Sequence, residues 1–334
     1  MKRFLAALAL VASPLVADYH VVRHINIGGT GGWDYVTVDS AARRLYISHS
    51  DRVEVVDIDR GTVVGTIPKT DGVHGIAVAP ELHRGFVSNG RSSTMTIFNL
   101  DTLATISEVK TTGENPDAIL FDPFSKHVFT FNGRGKNATA FDSDGKVLAT
   151  IPLDGRPEFA VTDGAGHVFV NIEDKSELAV IDPTKLAVER QSSLSPCQEP
   201  SGLAIDRARQ RLFSVCDNGK MVISDTKDGH VVAAVAIGKG PDAAAFDETN
   251  RLAFSSNGAD GTITVVREAS AAEFNVDRTV PTERGARTMA LDTKTHHLFL
   301  PTAKFGPPPA PTAERPRPRP TILPDTFEIV ELAP

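Results

Sequence analysis

The chain is short of the residues that carry most recognisable chemistry. It has two cysteines, one tryptophan, three tyrosines and four methionines. No CxxCH is present, which excludes covalent c-type haem. HExxH, GxSxG and GxxxxGK are missing as well, which removes the zincin, nucleophile-elbow and P-loop readings. With so few Trp and Tyr, aromatic stacking platforms are scarce. Only one apolar run is long, from Phe4 to Ala17, and it is too short to span a bilayer.

That run follows Met1, Lys2 and Arg3 and ends in small residues, the pattern of a secretory signal. Residues 1–17 are read as this signal, with cleavage after Ala17, and residues 18–334 as one mature domain. The alternative is a buried first strand or helix. Removing Lys2 and Arg3 from the 35 basic residues leaves 33 against 42 acidic ones, a net charge of −9. An acidic chain is a poor partner for nucleic acid or an anionic membrane. The mature chain is expected to be periplasmic or secreted, monomeric and without a transmembrane segment. "GRGKNA" at residues 133–138 imitates part of a dinucleotide motif, but no helix follows it, so it is read as a loop. The Asn137-Ala138-Thr139 sequon matters only in a glycosylating host.

What the chain has in abundance is repetition. The phrase "GGWDYVTVDSAARRLYIS" returns as "HGIAVAPELHRGFVS", "PDAILFDPFSKHVFT" and "PDAAAFDETNRLAFS". Aligned at the end of the first apolar run, the copies fall at Asp39, Ala79, Asp122, Asp163, Asp206, Asp247 and Asp292. The spacings are 40, 43, 41, 43, 41 and 45 residues, and the copies read as strands rather than helices, which indicates a β-propeller. Most copies contain four short strands, enough for one blade. The expected fold is therefore all-β, a seven-bladed propeller of four-stranded antiparallel blades. The seventh copy stops one strand short, and "DYHVVRHINIGG" resembles the fourth strands. Residues 19–27 are thus expected to close the last blade beside residues 327–332. A basic residue or His follows the aligned position by five residues in five copies (Arg44, Arg84, His127, Arg211, His297) and by four in two (His167, Arg251). It is read as pairing across the hairpin with the aligned Asp.

"RLYIS" with "VEVVDI", and "PDAAAFDETNRLAFSSNG" with "GTITVV", resemble the YVTN-type, or YncE-like, β-propeller repeat family over nearly the whole mature chain. The resemblance implies the propeller fold and an exported protein, and says little about function. One Trp also departs from the Trp-rich docking of quinoprotein propellers. The repeat's Asn at the end of the second strand stands at Asn89, Asn132 and Asn257, and is His49, Cys216 and Thr302 in three other copies, where individuality is sought.

Candidate functional residues are those just before each first strand, expected to point near the central axis. In order they are Asp34, His74, Asp117, Glu158, Ser201, Asp242 and Arg287, an acidic ring opposed by one Arg, with Trp33 beside it. His49 is expected to approach Asp34 and His74. The set Asp34, His49, His74 and Asp117 could then hold a divalent metal, the one cofactor the pattern points to; the other reading is a solvated polar rim. Such a metal would be lost as pH falls through about 6.5. Cys197 and Cys216 should lie on one face of blade five, as a disulfide or as two thiols. A proline-rich insertion at residues 305–325 reads as a lid, a docking strip or an extended loop. The functional expectation is a non-catalytic binding scaffold for a small ligand, a metal or a protein segment at the channel mouth. The rival is a metal-dependent hydrolase of lactonase type. A structural or adhesive envelope role would need further modules.

Overall fold

Each copy of the repeat folds as one four-stranded antiparallel sheet. The computed structural model describes residues 18–310, 312 and 320–334, so the expected signal at 1–17 and the centre of the proline-rich insertion lie outside the described residues. Blade one is Val36–Asp39, Arg44–His49, Arg52–Asp57 and Thr62–Pro68. Blades two to six begin at Val73–Ala79, Pro116–Asp122, Pro157–Thr162, Pro200–Asp206 and Pro241–Asp247 and keep the same order. Blade seven runs from Ala290–Leu291 through Leu298–Thr302 and Glu328–Ala333, and His20–Asn26 is its outer strand. The chain is a seven-bladed β-propeller closed by its own two ends. Among the described residues no helix is long and apolar enough to cross a membrane.

Burial follows position in the blade. Second strands are covered on both faces, as in Leu45, Tyr46 and Ile47, which is why they read as unbroken apolar runs. Outer strands such as Thr105–Lys110 alternate exposed and half-buried residues, because only one face meets a neighbour. The core is a series of clusters between adjacent blades. Phe213 of blade five, for example, stacks on Phe246 of blade six at 4.8 Å.

The turn residues behave differently from their expected pairing. The Cα atoms of Asp39 and Arg44, and of Asp206 and Arg211, do stand opposite each other. The carboxylates instead cap their own turns: Asp39 accepts from Ala41 and Ala42, and Asp122 from Ser125. Four of the seven basic side chains leave the hairpin and latch the next blade, while His297 pairs with Glu331 in its own blade at 2.7 Å. Arg44 donates to the Leu100 carbonyl, Arg84 to Ser143 O at 2.5 Å, and Arg211 to Ala271 O at 2.9 Å. His127 Nδ1 lies 2.9 Å from Pro183 O. Only His167 pairs with its aligned Asp, Asp163, at 2.8 Å. Backbone N–H groups in a tight turn are the nearer donors and need partners, so they take the carboxylate and free the long side chain.

The repeat Asn is structural too. Asn89 donates to Thr94 and Thr96 Oγ1 at 2.9 and 2.8 Å, and Asn257 does the same with Thr262 and Thr264. Cys216 replaces this clamp with a disulfide to Cys197, with Cα atoms 5.5 Å apart. Changing both cysteines to Ser should cost about 3 kcal/mol or less, since the closed loop is short. Alkylation checks the bond: denatured, unreduced protein should take up no label and reduced protein two, and two labels without reduction would disprove it.

Candidate functional site at the channel mouth

The mouth is shaped by a repeated irregularity. In blades two to six the ladder between first and second strands slips just after the first residue, between Val73 and Ile76, Pro116 and Ile119, Pro157 and Ala160, Pro200 and Leu203, and Pro241 and Ala243. A bulge takes a residue out of ladder pairing and re-aims its side chain. His74, Asp117, Glu158, Ser201 and Asp242 occupy the slipped stretch, as the second residue of the strand rather than the one before it.

The ring closes through direct contacts. His74 Nδ1 lies 2.5 Å from Asp34 Oδ2 and 3.7 Å from Asp117 Oδ1. Arg287 pairs with Asp242, lies 3.2 Å from Asp34 Oδ1, and donates to Trp33 O at 3.0 Å. Ser201 Oγ turns aside to Pro241 O at 3.1 Å. Glu158 and Glu173 share a hydrogen bond, and Arg156 holds Glu173 in an ion pair. Tyr35, which sequence reasoning passed over, is buried beneath the ring and meets Phe159 of blade four edge-on at 5.2 Å. The mouth is therefore a cup with an aromatic floor. The only trace of Tyr35 in the sequence is its place directly after Asp34.

Negative charge is in excess here. Burial lifts the Asp117 carboxyl to about 7 despite the neighbouring His74 cation. Burial, with Asp117 and Glu173 adding repulsion, lifts Glu158 to about 10. Burial also lifts Asp242 to about 6, with Arg287 opposing. For His74, burial disfavours the cation, but the Asp34 hydrogen bond and the Asp117 charge prevail and hold it at about 9. Asp117 Oδ1 is buried with no hydrogen-bond partner.

Asp34, His74 and Asp117 each offer a ligand atom, all within 4.8 Å of one another. His49 does not join them. It is fully buried, 3.0 Å from Arg52 Nη2, with its ring 4.4 Å from that of Phe327. The glycine loop at residues 28–32 covers it, so closely that a Cβ on Gly29 would stand 3.2 Å from His49 Cε1. The expected four-ligand set is corrected to three, because the second-strand terminus points into the blade and not into the cup. Thr302 serves the fold likewise, donating to Arg284 O at 3.0 Å.

His74 depends on a glycine. A Cβ on Gly90 would fall 2.5 Å from His74 Cδ2 and 2.6 Å from Nε2. Gly90→Ala should push the imidazole off Asp34 while the blade stays folded. By NMR titration the His74 pKa should then fall from about 9 toward its ordinary 6.5; an unchanged value would show that the ring is not held this way.

Two cavities of ≈ 670 Å³ open at this face, within the size range of small-ligand sites. One is polar and includes Asp34, His74, Asn115, Arg91 and Arg134. The Arg134 of the "GRGKNA" loop thus reaches the mouth. The other is more apolar and includes Pro241, Ala259, Phe305, Pro320 and Ile322. Gly32, Trp33 and Arg287 line both.

No protein-family model and no curated protein matches the sequence. Solved structures do match in shape. Kuenenia stuttgartiensis hydrazine synthase superposes with a TM-score of 0.69 at 17% identity, over 80% of this chain and 92% of that one. The structure of U3-55K superposes with a TM-score of 0.76 at 9% identity, over 94% and 98%. At such identities the likeness is one of fold, and it places this chain among the β-propellers.

Proposed function

We propose that the chain is an exported, YncE-like propeller acting as a binding scaffold, with a divalent cation held at its mouth by Asp34, His74 and Asp117. The cation in turn presents a small ligand or a protein segment. One observation carries this reading: buried carboxylates converge in excess of the available cations, and Asp117 Oδ1, 3.7 Å from His74, has no hydrogen-bond partner. One imidazole and two carboxylates suit zinc or manganese and leave coordination positions free. The export half of the reading is supported by the basic start and apolar run at residues 1–17 and by the repeat phrases. The same open positions could activate water, so a lactonase-type hydrolase is the second reading; turnover of a simple lactone by the metal-loaded protein would favour it.

Calorimetric titration with zinc and manganese tests the site. One saturable site is expected, weakened at least tenfold by Asp117→Asn or His74→Ala, because each removes a ligand. The metal must displace protons from His74 and Asp117, whose pKa values stand near 9 and 7. Affinity should rise with pH from 6 to 9 and fall on acidification through that window, well above the ordinary His range. No saturable binding by the folded protein at pH 8.5 would overturn the reading.

A further inference from the structure

The polar and apolar cavities are two halves of one depression, because Gly32, Trp33 and Arg287 line both. The polar side is lined by Asp34 and His74, which with Asp117 bring three ligand atoms within 4.8 Å of one another. On the other side Pro241, Ala259, Phe305, Pro320 and Ile322 form an apolar wall, and Asp242, paired with Arg287, lines it at the seam. Trp33 stands between them. One face of its ring stacks on Phe327 at 5.3 Å and 24°, and Phe305 meets it at 6.0 Å and 47°. Phe305 is 40% exposed, a large apolar surface held at the cavity by the bridge it forms with Ile322. Arg287, at the seam, keeps 39% of its side chain exposed while it holds Asp34 and Asp242.

Shape and chemistry thus differ across a single opening. On the cation reading above, the polar side would present a metal ion with open coordination positions next to the Arg287 guanidinium, a pairing that attracts an oxyanion. The apolar side offers flat rings and proline, which recover free energy only by burying apolar area. A ligand that satisfies both must carry the two chemistries at its two ends.

We propose that the mouth binds a carboxylic acid bearing an aromatic tail. Its carboxylate completes the coordination of the cation beside Arg287, and its ring lies against Trp33, Phe305 and Ile322. This rests on the cation reading above. The opposite polarity, an aromatic amine whose ammonium takes the cation's place among Asp34, Asp117 and Asp242, is the competing arrangement and is decided by the titration below.

Trp33 is the only tryptophan of the chain, so its fluorescence reports the site directly. Zinc-loaded protein would be titrated with phenylacetate, acetate and phenethylamine, and the zinc-free protein with the same three. Phenylacetate is expected to change Trp33 emission saturably, only with zinc present, and to bind at least about tenfold tighter than acetate, as burial of a phenyl ring requires. Phe305→Ala combined with Ile322→Ala should weaken phenylacetate about tenfold and leave zinc affinity unchanged in the folded protein, with a lower melting temperature because Ile322 packs on the core between blades seven and one. Zinc binding with phenylacetate no tighter than acetate would overturn the proposal and leave the cation reading standing. Phenethylamine binding to zinc-free protein and displaced by zinc would overturn it in favour of an organic cation. Absence of zinc binding would overturn both.

Discussion

A chain lacking residues 18–27 should lose cooperative folding and tend to aggregate. His20–Asn26 pairs antiparallel with Glu328–Ala333 from His20↔Ala333 to Asn26↔Glu328, and without it that C-terminal strand becomes a free edge able to pair with other chains. More than hydrogen bonds is lost. Tyr19 meets Phe254 of blade six at 5.1 Å and donates to His296 O at 2.8 Å. Ile25 is buried with Val36, Leu45 and Ile329 between blades seven and one. Arg23 joins Glu331 at 2.5 Å to the Ile58 and Asp59 carbonyls of blade one. Burial of Tyr19 and Ile25 alone is worth about 4 kcal/mol, a large share of the net stability of an ordinary domain. Thermal melting by circular dichroism and size-exclusion chromatography decide the matter. A truncated chain that melts as sharply and as high as the intact one, and elutes as a monomer, would show that the strand is dispensable.

Glu158→Gln should raise the melting temperature at pH 8 and leave it unchanged at pH 4. Burial first, then Asp117 and Glu173, lift the Glu158 carboxyl from 4.5 to about 10 in the folded protein. A group raised on folding contributes stability in its protonated form. That contribution is complete below the ordinary carboxylate range and is lost progressively as pH climbs toward the folded value. Asp117 and Asp242, at about 7 and 6, act in the same direction. At pH 8 the wild-type chain must therefore take up a proton at Glu158 on folding, a cost of about 2 kcal/mol or more that the neutral amide removes. The acid limb has the opposite sign. Burial opposes the charge of Glu54 and of Asp292, but hydrogen bonds from His49 and Arg52 to Glu54, and from Ser40, Thr295 and Arg43 to Asp292, hold both carboxyls near 2. Their contribution begins to fade as pH drops below about 4 and is gone below about 2. Equal melting of Glu158→Gln and wild type at pH 8 would show that the mouth accommodates its charge without cost.

The blades, their number and their closure were legible in the chain itself. Strand ladders and tight turns are set by neighbours close in sequence, so a period near 40 residues and a missing final strand carry through to the structure unchanged. The ring positions were legible for the same reason, since each stands at one place in the repeat. What spans blades was not. Arg44 reads as a hairpin partner of Asp39, yet it reaches Leu100, 56 residues on, because the twist of stacked sheets and not the repeat decides which carbonyl lies within range. His49 reads as a fourth ligand, and only the packing of Phe327 and the glycine loop over it turns it into core. The apolar half of the mouth joins Trp33 to Pro241, Phe305 and Ile322, residues drawn from three blades. Closing the ring brings them together, and closure is a property of all seven blades at once.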